Sequence, residues 1–235
     1  ALGARNLGPS TMSGRVSSIV GTVQEGQVNL YVGTAGGGIW KSLNGGYTFI
    51  PVFDKYCQSI GAMAIDPKAP RTLYVGTGES NMRNSVSIGD GIYKSTDAGE
   101  NFRKLTNGIP GVDKGGMGIA VSPVDPNVVY VMVEAALGKD GFFRSTDRGE
   151  SFNKMSSYST SGQYYGEIYC DPIDVNTIYS TETVSKFSVD AGKTWQNIGN
   201  NHRHVDDHAL WIDPNDTNHF IVIYLQVSEC FVLAY

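Results

Sequence analysis

Three of the four histidines of this chain, His202, His204 and His208, fall within seven residues, beside Asp206 and Asp207. Imidazole and carboxylate together suit zinc and other first-row metals. The same groups also hydrogen-bond loop backbone at the start of a strand, and for Asp207 and His208 that is the favoured reading. A second polar segment runs from Gly78 to Gly91 and carries Glu79, Asn81, Arg83, Asn84 and Asp90. Arg83 has the fork to grip a substrate carboxylate bidentately, or to form a salt bridge with Glu79 or Asp90 that orders the loop. Glu79 and Asp90 would serve as an acid/base pair for glycoside cleavage if their carboxyls faced one another, and sequence spacing does not set that separation. Gly36–Gly38 and Gly76–Gly78 follow apolar runs, but no helix pattern follows them, so a phosphate cradle at a helix N-terminus is not expected. Tyr164, Tyr165, Phe142, Phe143 and Trp211 have rings that stack on sugars, and core packing is their commoner use. No residue is assigned a catalytic, cofactor-binding or metal-binding role, and no cofactor is expected. Glu79, Asn81, Arg83, Asn84, Asp90, His204, Asp206, Asp207 and His208 are the candidates for a ligand-binding rim.

The elements that must hold these residues repeat. Ser42–Phe49, Ser95–Phe102, Ser145–Phe152 and Ser188–Trp195 share the pattern S-x-[DN]-x-G-x-[TSN]-[FW], at intervals of 53, 50 and 43 residues. A second motif interleaves with it. Asp66-Pro67, Ser122-Pro123, Asp171-Pro172 and Asp213-Pro214 each precede by seven residues an apolar position, Leu73, Val129, Ile178 and Phe220. Two motifs in constant order at this period predict units of four short strands. In the second unit these are 60–66, 72–77, 91–95 and 101–105, rich in Tyr, Val, Ile and Phe and separated by Gly, Asp, Asn and Pro. No sustained period of 3.6 appears. Four-stranded units of this length predict an all-β chain, a β-propeller of antiparallel blades.

In the octapeptide, Ser42, Ser95, Ser145 and Ser188, with Asn44, Asp97, Asp147 and Asp190, can accept from turn amides. Gly46, Gly99, Gly149 and Gly192 can take positive φ without steric cost. These residues are read as structural, since equivalent copies point to a staple rather than to catalysis. In the predicted first strands, Met63, Ile119, Ile168 and Leu210, then Ile65, Val121, Cys170 and Ile212, make one apolar face of period two. Cys170 is therefore read as an inert core thiol. Ala62, Ala64, Gly118 and Ala120 on the other face are small, as crowding around a central channel requires.

These octapeptides resemble Asp-boxes, also called BNR repeats, of sialidase-like, xyloglucanase-like and sortilin-like propellers. Gly76–Gly99 and Asp206–Pro214 resemble secreted bacterial sortilin-like repeat proteins in particular. The resemblance covers about residues 6–223 and specifies fold far better than function. It implies one propeller domain over 1–235, with blades at about 14–53, 60–106, 116–156 and 165–199 and a partial fifth at 207–235. Ala4–Pro9 looks like Trp195–Asn200 and is a candidate closing strand over 3–9. The alternatives are a small ring closed by that strand, with 228–234 as third strand of the last blade, or part of a larger propeller. The second is preferred, because the resemblance implies a further Asp-box after Ile223 and Val227–Tyr235 supplies none.

In a meander, loops one-two and three-four share one end. The Asp-Pro turns and octapeptides therefore occupy one end, and the long polar loops, with Glu134 and Glu182 near the same rim, occupy the other. A concave mouth ringed by carboxylates, amides and imidazoles is the expected binding site. The expected function is a secreted, periplasmic or cell-surface binding module for a protein, peptide or glycan. The alternatives are a glycoside hydrolase of sialidase-like or xyloglucanase-like type and a structural subunit of an extracellular assembly. A sialidase's arginine cluster and its Arg-Ile-Pro signature find no match here, nor do two aspartates of a xyloglucanase. Net charge is −5 and the 18 basic residues are scattered, which excludes a phosphate-backbone binder. No apolar run is long enough for a membrane span, which needs about 18 residues or more. Further blades of the same polypeptide are expected neighbours.

Overall fold

The computed structural model describes residues 15–24, 26–79, 87–160, 166–199, 205–226 and 229–234. Among these residues the strands form five antiparallel sheets, four of four strands and one of three, each in sequence order. The first blade is β1 (Val16–Gln24), β2 (Gln27–Thr34), β3 (Ile39–Ser42) and β4 (Ile50–Pro51). The second is β5 (Ile60–Ile65), β6 (Leu73–Thr77), β7 (Ile92–Ser95) and β8 (Arg103–Leu105). The third is β9 (Lys114–Val121), β10 (Val129–Ala135), β11 (Gly141–Ser145) and β12 (Asn153–Ser156). The fourth is β13 (Ile168–Cys170), β14 (Ile178–Ser180), β15 (Lys186–Ser188) and β16 (Gln196–Asn197). The fifth has β17 (Asp207–Ile212), β18 (Phe220–Gln226) and β19 (Glu229–Ala234), so a third strand follows where the sequence pattern breaks. The candidate closing strand, 3–9, lies outside the described residues. Among the described residues a 3-10 turn, Ala136–Gly138, interrupts the strands, and no helix is long and apolar enough to cross a membrane.

The four octapeptides share one hydrogen-bond pattern. The Ser hydroxyl donates to the acidic or amide oxygen two residues on and accepts the glycine N–H. For Ser95 these distances are 2.7 Å to Asp97 Oδ1 and 2.9 Å from the Gly99 amide. Asp97 Oδ1 also accepts the Asn101 amide at 2.9 Å. Ser145 with Asp147, and Ser188 with Asp190, repeat this. Asn44 does the same uncharged, accepting from Ser42 at 3.0 Å and from the Thr48 amide at 2.9 Å. The fourth and fifth residues both take left-handed backbone: Ala98 and Gly99, Arg148 and Gly149, Ala191 and Gly192, Gly45 and Gly46. Only the fifth position is glycine throughout. Three carboxylates are thereby held near pKa 2. For Asp97 and Asp147, slight burial pushes upward, and the hydrogen bonds outweigh it. For Asp190 the Thr194 amide and hydroxyl dominate.

The fourth residue's amide donates to a carbonyl within β2, or just ahead of β6, β10 or β14: Gly45 to Val28, Ala98 to Arg71, Arg148 to Asn127, Ala191 to Asn176. In the second, third and fourth blades this ties the octapeptide to the loop between first and second strands of its own blade, and in the first blade to the start of β2. In the second and fourth blades that loop is an Asx turn: Asp66 Oδ1 accepts the Lys68 and Ala69 amides, and Asp171 Oδ1 those of Ile173 and Asp174. Both recurrent turn types therefore lie at one end, leaving the other for variable loops.

Blades pack face to face through one repeated contact. A Tyr one residue before the Val or Ser that pairs with the core of each first strand is buried in all four complete blades: Tyr31, Tyr74, Tyr130 and Tyr179. Tyr31 donates to the Ala98 carbonyl at 3.0 Å and Tyr74 to the Arg148 carbonyl at 2.9 Å, each on the next blade. Lys41 and Lys94 reach the same two carbonyls while lying over those rings. The apolar face of each later first strand looks back and is buried: Met63, Ile119, Ile168 and Leu210. Phe142 and Phe143 are core residues. Cys170 is half-buried, and burial, then Asp171, push its thiol up to about 12, which keeps it protonated and unreactive at neutral pH.

Candidate functional site

First strands β1, β5, β9 and β13 line a cavity of about 450 Å³ at the end opposite the octapeptide turns. Its walls include Ser17, Ser18, Gly61, Gly116, Gly118, Glu167 and Tyr169, with Arg15 at the edge. At Gly118 the convergence of the strands leaves no room for a side chain. A Cβ on Gly118 would stand 1.9 Å from the Gly166 carbonyl oxygen of the next blade. A second cavity, about 440 Å³, opens at the other end and is lined by the Pro residues and apolar ends of the same strands and of β17.

Glu79 is buried at the mouth, and its carboxylate pairs with the Arg15 guanidinium from the first blade. The Glu79 amide donates to the Ser87 carbonyl at 3.0 Å, closing the base of its loop. Glu134 accepts the Gly116 amide at 2.9 Å. Glu79 and Glu134 share a cleft of about 10 Å³ with Ser159 and Thr160, room for roughly one water. Asp90 accepts the Tyr93 hydroxyl at 2.6 Å, the Thr77 hydroxyl at 3.1 Å and the Lys104 ammonium at 3.2 Å. Partial burial pushes its pKa up, but these three donors outweigh that and hold the carboxyl below its ordinary value.

Glu167 stands apart. It faces the cavity just before β13, and the Tyr169 hydroxyl donates to it at 3.1 Å. Glu167 is exposed as a residue, yet desolvation of its carboxyl beside the cavity raises its pKa, partly offset by the hydrogen bond from Tyr169. Desolvation also raises Tyr169, reinforced by Glu167. A raised pKa favours the protonated carboxyl, the form in which an acid delivers a proton.

The other sequence candidates separate. Asp206 takes left-handed backbone, its amide donating to the Thr183 carbonyl, and the Asp207 amide donates to the Glu182 carbonyl. Asp207 is fully buried at the start of β17, with His208 half-buried beside it. Asn81, Arg83, Asn84 and His204, with Tyr164 and Tyr165, lie outside the described residues. Arg15 holds Glu79, and Lys104 holds Asp90. Among the described residues no three His, Cys, Asp or Glu side chains converge as metal ligands. Trp211 is 53% exposed on β17.

Arg15, Glu167 and Tyr169 were not among the sequence candidates. Glu167 and Tyr169 occupy, in the fourth blade, the register positions of Ala62 and Ala64 in the second and Gly118 and Ala120 in the third. A large polar pair where the other blades are small was the signal available. Nothing local marks Arg15, whose partner is 64 residues away.

No protein-family model matches the chain, and no curated protein matches it. Solved structures do. An ancestral GH74 enzyme superposes with TM-score 0.69 at 16% identity, over 96% of this chain and 31% of that one. The GH74 xyloglucanase from Xanthomonas campestris gives 0.58 at 17% identity, over 83% and 33%. YCF48 from Cyanidioschyzon merolae gives 0.54 at 12% identity, over 89% and 63%. The fold is a β-propeller. At these identities the likeness is one of fold alone, and the chain spans about a third of the length of the GH74 proteins it matches.

Proposed function

We propose that this chain is a binding module whose channel mouth recognises a protein, peptide or glycan, and that its octapeptides are Asp-boxes of the sortilin-like kind in an exported protein. The observation that carries the reading is the cavity of about 450 Å³ opposite the octapeptide turns, walled by glycine and serine and bearing Glu167 and Tyr169. It offers depth, backbone polar groups and one carboxylate with a phenol, which suit recognition. The carboxylates suggested as an acid/base pair are committed elsewhere, Glu79 to Arg15 and Asp90 to Tyr93, Thr77 and Lys104.

A second reading, a glycoside hydrolase, is favoured by one observation. The Glu167 carboxyl beside the cavity has its pKa shifted upward, the direction a general acid needs, and a glycosidase sets such a group opposite a second carboxylate. The GH74 neighbours make xyloglucan a reasonable substrate to try. One experiment tests both: peptide and glycan arrays probed with the wild type and Glu167→Gln, alongside sugar release from xyloglucan. Binding lost in the variant, with no sugar released by the wild type, supports the module. Sugar release abolished in Glu167→Gln supports the hydrolase. Binding unchanged by Glu167→Gln, with no sugar release, sinks the assignment of this cavity.

A further inference from the structure

The chain contains two Asn-Gly dipeptides, Asn44-Gly45 and Asn107-Gly108. In such a pair the glycine nitrogen can attack the asparagine side-chain carbonyl carbon, because no Cβ on the glycine obstructs the approach. The fold treats the two sites oppositely. Asn44 is held by both side-chain heteroatoms within the first octapeptide. Its Oδ1 accepts the Ser42 hydroxyl at 3.0 Å and the Thr48 amide at 2.9 Å, and its Nδ2 donates to the Thr48 hydroxyl at 2.9 Å. The attacking atom is engaged too, since the Gly45 amide donates to the Val28 carbonyl at 2.9 Å. Asn107 lies at an exposed turn between β8 and β9, closed by the Ile109 amide donating to the Thr106 carbonyl at 3.3 Å. Neither the Asn107 side-chain amide nor the Gly108 N–H makes a hydrogen bond with any described residue.

We infer that Asn107 is a site of spontaneous deamidation in the folded protein, and that the octapeptide masks Asn44 from the same reaction. Solvent base takes the Gly108 amide proton, and the nitrogen bonds to Asn107 Cγ. The Cγ–Nδ2 bond breaks, and the side-chain nitrogen, protonated by solvent, leaves as ammonia from a five-membered succinimide. Water then opens the ring at one of its two carbonyls. One opening leaves aspartate in the original backbone, the other isoaspartate, with the chain routed through the β-carbon. Water and its ions are the only co-reactants. The consequence reaches the next blade. The Asn107 carbonyl accepts the Phe152 amide at 3.0 Å, and a Cβ on Gly108 would stand 1.8 Å from the Phe152 carbonyl oxygen. The turn is therefore fitted closely to the end of the third octapeptide, and an extra backbone carbon at position 107 breaks that fit.

Peptide mapping by mass spectrometry of the full chain, aged at mildly alkaline pH, tests this, with the urea-unfolded chain as reference. Unfolded, both dipeptides should convert from amide to acid at similar rates. Folded, Asn107 should still convert, while Asn44 lags by about tenfold or more, because its corner must open first. Ser42→Ala removes a donor to Asn44 and the acceptor of the Gly46 amide. Asn44 conversion in that folded variant should rise about tenfold, with Asn107 unchanged. Thr48→Val, at an exposed position, deletes only the hydroxyl that holds Nδ2 and should raise Asn44 conversion in the same direction even if Ser42→Ala fails to fold. Hydrogen exchange of the Phe152 amide should quicken in the isoaspartate fraction. An Asn107 that stays intact in the folded chain while the unfolded chain reacts overturns the inference. So does an Asn44 that keeps pace with Asn107 in the folded chain, or one whose rate neither substitution moves. Unchanged Phe152 exchange overturns the effect on the third blade.

Discussion

Removing one hydroxyl from one octapeptide should open that corner while leaving the other three closed. Ser95 is 1% exposed, and its Oγ is the acceptor for the Gly99 amide at 2.9 Å. Ser95→Ala leaves that buried donor unpaired, which costs about 2 kcal/mol, and the local opening constant rises by about 30-fold. Asp97→Ala should cost about 1 kcal/mol, because the Asn101 groups it releases reach water. Asp97→Asn should cost about 0.5 kcal/mol, since Asn44 makes the equivalent bonds in the first blade. Native-state hydrogen exchange of the Gly99 and Asn101 amides reads the opening locally, with the Gly149 and Gly192 amides as internal controls. The pH dependence follows from the sign of the shift. Asp97, with a folded pKa of about 2 against an ordinary 3.8, stabilises the turn once pH exceeds that ordinary value and loses the contribution as pH falls through about 2. Solvent screening holds the contribution of the charge to about 0.5 kcal/mol. Asp97→Asn should therefore flatten the acid dependence of the Asn101 amide. If Ser95→Ala leaves Gly99 exchange unchanged, or Asp97→Asn opens the turn as much as Asp97→Ala, the staple is not what holds this corner.

Tyr74→Phe deletes the hydroxyl that reaches the Arg148 carbonyl and should lower the urea midpoint by an amount equivalent to about 1 kcal/mol; an unchanged midpoint refutes the inter-blade hook. Gly118→Ala should lower the melting temperature more than any other substitution named here, because its Cβ would lie 1.9 Å from a backbone oxygen of the adjacent blade. Glu167 has a raised folded pKa, so its ionisation opposes folding, and stability is lost as pH rises from the unfolded value through the folded one. Glu167→Gln should accordingly melt higher than the wild type at neutral pH, with the difference vanishing once pH falls below the ordinary carboxyl range; an equal or lower melting temperature at neutral pH removes desolvation as the cause.

The strands were legible because each blade repeats the same combination of turn chemistry and alternating burial. Strands predicted at 60–66, 72–77, 91–95 and 101–105 are observed as Ile60–Ile65, Leu73–Thr77, Ile92–Ser95 and Arg103–Leu105. The one apolar face of Met63, Ile119, Ile168 and Leu210 is the face that packs. The mouth was less legible, because pairing there joins residues from different strands and blades. Sequence puts Glu79 and Asp90 in one polar loop, but does not show that Arg15 and Lys104 claim their charges. It also names glycine as the residue for left-handed backbone, and so misses Ala98, Arg148 and Ala191. These adopt it because the amide of each is tied back to the loop ahead of the second strand while the serine hydroxyl holds the next amide.

The carbonyls of Ala98 and Arg148 belong to residues in left-handed backbone, a conformation that costs free energy to hold without glycine. Each carbonyl is gripped by a tyrosine and a lysine of the blade before it. A corner is thus clamped only when its predecessor is in place. Loss of an earlier blade releases a strained bend in the next, whereas loss of a later blade leaves the earlier bend still gripped. Forced or proteolytic opening should therefore run forward along the chain, like a zip with a single slider.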